Sequence, residues 1–186
     1  MTREQAEQVI SRELESDERL LWSGVPKQGL TLRPSDTVLI PFSLLWGGFA
    51  VFWEAGVLHS KAPGFFVVWG IPFVLVGLYL IVGRFFVDAR QRAATAYGVT
   101  NTRVVIVSGL FSRTVKSLAL RTLTDMTLSE RRDGSGTISF GLPPVWGQWF
   151  ANTSWPGTSA QQAPAFDLIA DAKTVYSQLR AAQSSV

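Results

Sequence analysis

Two apolar stretches decide the fold: Val38 to Leu58 (VLIPFSLLWGGFAVFWEAGVL) and Phe65 to Gly83 (FFVVWGIPFVLVGLYLIVG), joined by His59 to Gly64 (HSKAPG). Crossing a hydrocarbon core of about 30 Å takes about 20 helical residues. Both runs are that long. Pro41, Gly47, Gly48, Pro72 and Gly77 lie inside them and would weaken soluble helices, but they are tolerated in lipid, where leaving the backbone unpaired costs more. The connector is short and carries a Pro63-Gly64 turn signal, so the expected unit is an antiparallel transmembrane hairpin over residues 38–87.

Working outward, the flanks set the orientation, because Lys and Arg accumulate on the cytoplasmic side. The connector has Lys61 alone, whereas Lys27 and Arg33 precede the first span and Arg84, Arg90 and Arg92 follow the second. Both termini are expected in the cytoplasm. The start of the chain is charged, with no signal-peptide pattern, so the first span is expected to act as its own insertion signal. Glu54 and His59 lie towards the connector; a proton-relay or ligand role is open for them, and solvation at the interface is the simpler reading. Arg84 is expected to snorkel to the cytoplasmic interface. Ser43 and Gly47 form a small-xxx-small pair suited to close helix contact. Trp46, Trp53 and Trp69 are open to lipid-facing, interfacial or partner-contact roles.

Composition narrows the function. Of the 186 residues 47% are hydrophobic and only 17% charged, against about 25% charged in a soluble domain. There is no cysteine, which removes disulfides, thiolate nucleophiles and cysteine-based metal sites. His59 is the one histidine, so multi-histidine metal sites and most imidazole acid–base schemes go as well. No spacing of Ser, Thr, Asp or Lys groups an activated nucleophile with a base. The expectation is a protein that is not an enzyme and has no metal or cofactor. Before residue 38 there are five basic and seven acidic residues, and from Asp88 onward ten basic and six acidic. The C-terminal surplus lacks a Lys/Arg-dense run, so it fits anionic lipid better than nucleic acid.

Three segments follow: an N-terminal arm at 1–37, the hairpin at 38–87 and a cytoplasmic domain at 88–186. In the arm, Thr2 and Gln5 make a capping-box pattern, and Ala6, Val9, Ile10 and Leu14 form a narrow apolar stripe. Arg19 to Pro26 (RLLWSGVP) reads as a strand ending in a turn, available to pair with the C-terminal domain. After the hairpin, Ala96 to Thr100, Arg103 to Ser108, Thr114 to Leu120, Thr124 to Glu130 and Gly136 to Phe140 read as an antiparallel meander. Asp167 to Gln183 reads as a helix capped by Asp167, with Ile169, Ala172, Tyr176 and Leu179 on one face. This is an α+β arrangement in which one helix closes the end of a small barrel.

YGVTNTRVVIVSG, the strand holding Val115 and Leu118, TDMTLSE and GTISFG together resemble the bacterial pleckstrin-homology (PH) domain found in membrane proteins with hairpins. The resemblance covers roughly Ala96 to Ala182. It extends upstream to SDERLLWSG, with Asp17 where a Gly is more usual. It implies a seven-stranded bent antiparallel barrel with a C-terminal capping helix, in a bacterial inner-membrane protein. In lipid-binding eukaryotic relatives, basic residues around the first long hairpin loop hold inositol phosphates. The nearest equivalents are Arg113 and Lys116, with Arg121 close in sequence, and their dense clustering is missing. Generic attraction to anionic headgroups, about 1 kcal/mol per basic residue, and solvated charges that protect a strand edge are both open for them. The same two readings apply to Arg131 and Arg132 at a hairpin tip.

Leu142 to Pro164 sets Trp146, Trp149, Phe150 and Trp155 among Pro, Gly and Ser. Aromatics on a loop favour a membrane interface or a protein hot spot, and packing over the open barrel end is the alternative. The expected function is a membrane-anchored adaptor, accessory or assembly subunit. It would bind other membrane proteins through the PH-like domain, with recognition of anionic membrane lipids as the alternative.

Overall fold

The computed structural model describes residues 1–33, 36–110, 112–141 and 163–185. Helix α1 (Arg3–Ser11) opens with the expected box: the Gln5 N–H donates to Thr2 Oγ1 at 3.3 Å, and the Thr2 N–H donates to Gln5 Oε1 at 2.9 Å. Strand β1 (Leu20–Gly24) follows, then α2 (Asp36–His59). Helix α3 (Gly64–Leu78) continues through a π-helical turn (Tyr79–Gly83) into α4 (Arg84–Ala93). The second apolar helix therefore overruns its expected end at Gly83 by ten residues, because the polar α4 carries it on towards the next domain.

α2 and the α3–α4 helix are each long and apolar enough to cross a membrane, and only 17% of the most apolar stretch of each is buried. Leu45 (75% exposed) and Phe52 (77%) would be in the core of a water-soluble helical pair. The helices meet along small residues. Ser43, Gly47 and Ala50 are buried on α2, as are Gly70 and Gly77 on α3. A Cβ on Gly77 would lie 2.8 Å from Gly47 Cα, so the backbones approach as glycine alone allows.

The remaining strands are β2 (Ala96–Thr100), β3 (Arg103–Ser108), β4 (Thr114–Ala119), β5 (Met126–Glu130), β6 (Gly136–Phe140) and β7 (Ala165–Ile169). They form two antiparallel sheets, β1-β2-β3-β4 and β5-β6-β7, and not the single meander or closed barrel expected. Alternation along β2 and β3 sends Tyr97, Val99, Val104 and Ile106 inward, while Ala96, Val105 and Val107 face outward beneath Ala6 and Ile10 of α1. Gly98 permits this cover, since a Cβ there would lie 2.5 Å from Ile10 Cγ2. A register shift between Leu20 and Trp22 puts Leu20 under α1 and Trp22 against the inner core.

Helix α5 (Ala172–Ser184) packs Ala172, Val175, Leu179 and Ala182 into the inner core. Its Gln183 side chain donates to the carbonyls of Leu120 and Leu123. The capping helix is thus present but starts five residues later than expected. Asp167 does not cap it: the residue lies in β7. Phe166 beside it is fully buried between Trp22, Tyr97 and Phe140, and burying that ring holds the segment in the second sheet.

Candidate functional site: a charged junction under the hairpin

The open end of the hairpin is bound to the domain by ionic contacts between segments far apart in sequence. Asp36 begins α2 and Arg84 begins α4; Arg84 Nη1 and Asp36 Oδ1 are 2.9 Å apart, and both side chains are 5% exposed. Asp36 also accepts the Arg33 N–H at 2.7 Å, and its own N–H donates to the Arg33 carbonyl at 2.9 Å. Arg33 Nη2 reaches Asp88 on α4 at 3.0 Å and Asp167 on β7 at 2.7 Å. Asp88 also pairs with Arg92, one turn along, and Arg92 donates to the carbonyls of Lys27 and Gly29. One guanidinium thus ties the linker to α4 and to the second sheet.

The domain side is equally specified. Thr137 Oγ1 donates to Asp167 Oδ1 at 3.1 Å, and the Asp167 N–H donates to the Tyr97 hydroxyl at 3.1 Å. Leu168 follows at φ 49°, a strained conformation for a bulky residue. Its carbonyl accepts the Lys27 N–H at 2.8 Å. Burial pushes the Tyr97 hydroxyl well above its ordinary range, and the nearby Asp167 carboxylate adds to the effect. For Arg33 burial acts to lower the pKa, but the two facing carboxylates outweigh it and leave it raised. The Arg33 charge is therefore permanent and compensated.

These positions correct two expectations. Arg84 does not snorkel; it is buried against Asp36 and lies 4.5 Å over the Phe85 ring. Glu54 is not simply solvated at the interface: its Oε2 is buried with no hydrogen-bond partner, in the notch left by Gly70. Trp53 also packs at that notch. Further buried polar atoms without partners are Tyr79 Oη in the π-helical turn and Nε and Nη2 of Arg84. The unsatisfied groups of Tyr79 and Arg84 lie in and just after the π-helical turn and mark a locally strained element there.

A second network ties the arm to the first sheet. Arg103 Nε donates to Glu18 Oε1 at 2.7 Å, Thr102 Oγ1 donates to the same oxygen at 2.6 Å, and the Glu15 N–H donates to Glu18 Oε2 at 2.9 Å. Burial raises the Glu18 carboxyl, but these donors more than offset it and hold it at about 2. Arg113 pairs with Glu13.

The basic residues singled out from sequence are therefore not brought together. Arg113 is engaged by the arm. Lys116 sits mid-strand on β4, opposite Ile106. Arg121 is exposed in the short 3₁₀ turn Leu120–Thr122, at the far end of that strand. Arg131 is partly buried and donates to the Leu32 carbonyl at 3.2 Å, while Arg132 is exposed beside it. Trp146, Trp149 and Trp155, with the rest of 142–162, lie outside the described residues. Among the described residues, no group of three or more His, Cys, Asp or Glu side chains could hold a metal ion.

Sequence reasoning missed Arg33, Asp36, Asp88 and Asp167 as a set. A usable signal existed: opposite charges flank the two apolar runs at their open end, Arg33 and Asp36 before the first and Arg84 and Asp88 after the second.

A domain of two antiparallel sheets with a C-terminal helix packed into their common core, mounted on an apolar helical pair, fits a PH-like class. The family model for the bacterial PH domain matches residues 44–182, so the chain belongs to the bacterial PH domain family. The match takes in most of the hairpin as well as strands β2 to β7, and leaves out α1 and β1. Searches of curated proteins and of solved structures found no match.

Proposed function

We propose that this chain is a non-enzymatic, membrane-anchored adaptor. The apolar pair spans the bacterial inner membrane with both termini in the cytoplasm, and the PH-like domain binds another membrane protein as an accessory or assembly subunit. The observation that carries this reading is the junction: Arg33 joins linker, α4 and β7 in one ionic knot, so the domain is held at a fixed angle to its anchor. A pre-set orientation suits docking against a second membrane-bound protein, because less freedom is lost on binding.

The experiment is extraction in mild detergent with crosslinking, followed by mass spectrometry, comparing the parent with Arg33→Ala. The expected result is a specific membrane-protein partner whose recovery falls in the variant. Purification of the chain alone under all conditions would sink the adaptor. A terminal-tag protection assay that placed the C-terminus outside would overturn the orientation.

A second reading, recognition of anionic lipid by the domain, draws support from Arg131 and Arg132. Their hairpin tip rests on the linker just ahead of α2. Salt-sensitive binding of the full chain to anionic but not neutral bilayer surfaces is the expected signature.

A further inference from the structure

The linker before α2 presents an unexplained apolar pair. Leu30 is 64% exposed and Leu32 is 65% exposed. Lone exposed leucines need no explanation, but these two alternate with the partly buried Thr31 and Arg33, as an extended segment with one side turned outward would. The inward side is fixed: Arg92 holds the Gly29 carbonyl at 2.8 Å, and Arg33 holds Asp88 at 3.0 Å.

Those anchors also give the depth. Asp88 lies four residues beyond Arg84, about 6 Å along the helix, and Arg92 about 12 Å. Arg84 meets Asp36 where the apolar run of α2 begins. The headgroup layer adds only about 5–8 Å on each side of the hydrocarbon core, so Leu32 sits at its level and Leu30, whose neighbour Gly29 is reached by the long Arg92 side chain, at its cytoplasmic edge. The rim is basic. Arg131 donates to the Leu32 carbonyl, Lys27 is neutralised by Asp133 at 2.9 Å, and the exposed Arg132 has no ion-pair partner among the described residues.

We propose that Leu30 and Leu32, rimmed by Arg131 and Arg132, form a foot that inserts into the anionic headgroup layer of the bilayer spanned by the hairpin. The inference rests on the membrane-spanning reading and gives the lipid reading a surface. Two leucines supply shallow apolar insertion and the arginines supply attraction to lipid phosphate. The occupant is lipid and not a protein groove, because the pair continues directly into a membrane-spanning helix at headgroup depth.

The chain has no native cysteine, so Leu32→Cys and, separately, Leu30→Cys can each carry one environment-sensitive fluorophore. The full chain is placed in nanodiscs of phosphatidylglycerol and phosphatidylcholine containing spin-labelled lipid, with the label at headgroup level in one set and near the acyl-chain end in another, because position 46 lies about 15 Å along α2 from Asp36. Controls are labels at Trp46→Cys within α2 and at Arg121→Cys on the far end of the domain. Expected are strong headgroup-level quenching at position 32 and weaker quenching at 30, quenching at 46 by the chain-end label, none at 121, and a roughly fivefold smaller gain in quenching at 32 between neutral and anionic discs with Arg132→Gln. Quenching at 46 but not at 30 or 32 would overturn the foot and leave the span standing. Loss of quenching at 46 as well would overturn the span and the foot with it. Protection of position 32 from aqueous acrylamide without lipid quenching would mean that protein covers it, which also overturns the proposal.

Discussion

Two arginine–carboxylate networks hold this molecule together, and they differ in burial. At the junction, Arg84 and Asp36 are both 5% exposed. In the arm, Glu18 is equally enclosed at 4%, but Arg103 is 22% and Arg113 53% exposed. Buried charges cost several kcal/mol each to desolvate and are tolerated only when paired. Exposed pairs gain little and cost little. The junction therefore penalises any geometry that separates its members, whereas the arm's acidic residues dock α1 onto a sheet that α1 already covers through Ala6 and Ile10. Charge specifies position at the first and supplements packing at the second.

The comparison breaks most sharply at Asp36. Asp36→Ala leaves Arg84 buried and unpaired and is expected to cost about 3–5 kcal/mol, read as a large drop in thermal midpoint of the detergent-solubilised chain. Asp36→Leu combined with Arg84→Met should recover most of that loss. If the double variant is as unstable as the single one, charge compensation is not what matters there.

The hairpin's own packing gives the next effect. Gly77→Val drives a side chain into the Gly47 backbone and should cost about 1–3 kcal/mol, with spin-label distances between α2 and α3 increasing. Gly48→Ala, where a Cβ meets nothing within 4 Å, should leave those distances unchanged.

Acid tests the arm. The Glu18 carboxyl is depressed from 4.5 to about 2, so its contribution is complete above about 4.5 and is lost as pH falls through about 2. Glu18→Gln should cost about 1.5–3 kcal/mol at pH 7 and flatten the loss of stability between those limits, measured by urea unfolding of the first sheet. An unchanged acid profile would mean that another carboxyl governs it. The smallest effect belongs to Arg113→Ala, which removes a half-exposed pair with Glu13 and should cost about 0.2–1 kcal/mol. Salt near 1 M should abolish even that difference, since it screens exposed charges to about 3 Å.

Much of this architecture was legible because it depends on local pattern. The apolar runs marked α2 to within two residues at its start and one at its end, and the start of the second helix but not its continuation to Ala93; the Thr2–Gln5 box marked the start of α1, and alternation marked β2 through β6. Asp167 shows where local pattern misleads. A carboxylate ahead of apolar residues at helical spacing resembles an N-cap, but Phe166 beside it is pulled into the core and the residue becomes part of β7. Arg84 failed in the same way: at the end of an apolar run, snorkelling is the cheap local solution, and the competing solution lay on another helix.

The sequence by itself determined the apolar pair, strands β1 to β6 as separate segments and the closing helix, because hydrophobic periodicity and turn residues act over a few positions; how the strands divide into two sheets it left open. Only the tertiary structure decided which charges meet. Arg33 and Asp167 are 134 positions apart, and Glu18 and Arg103 are 85. Such partners are chosen by where the chain's packing brings them and by the cost of leaving a charge buried alone, and neither is written in the spacing of the residues.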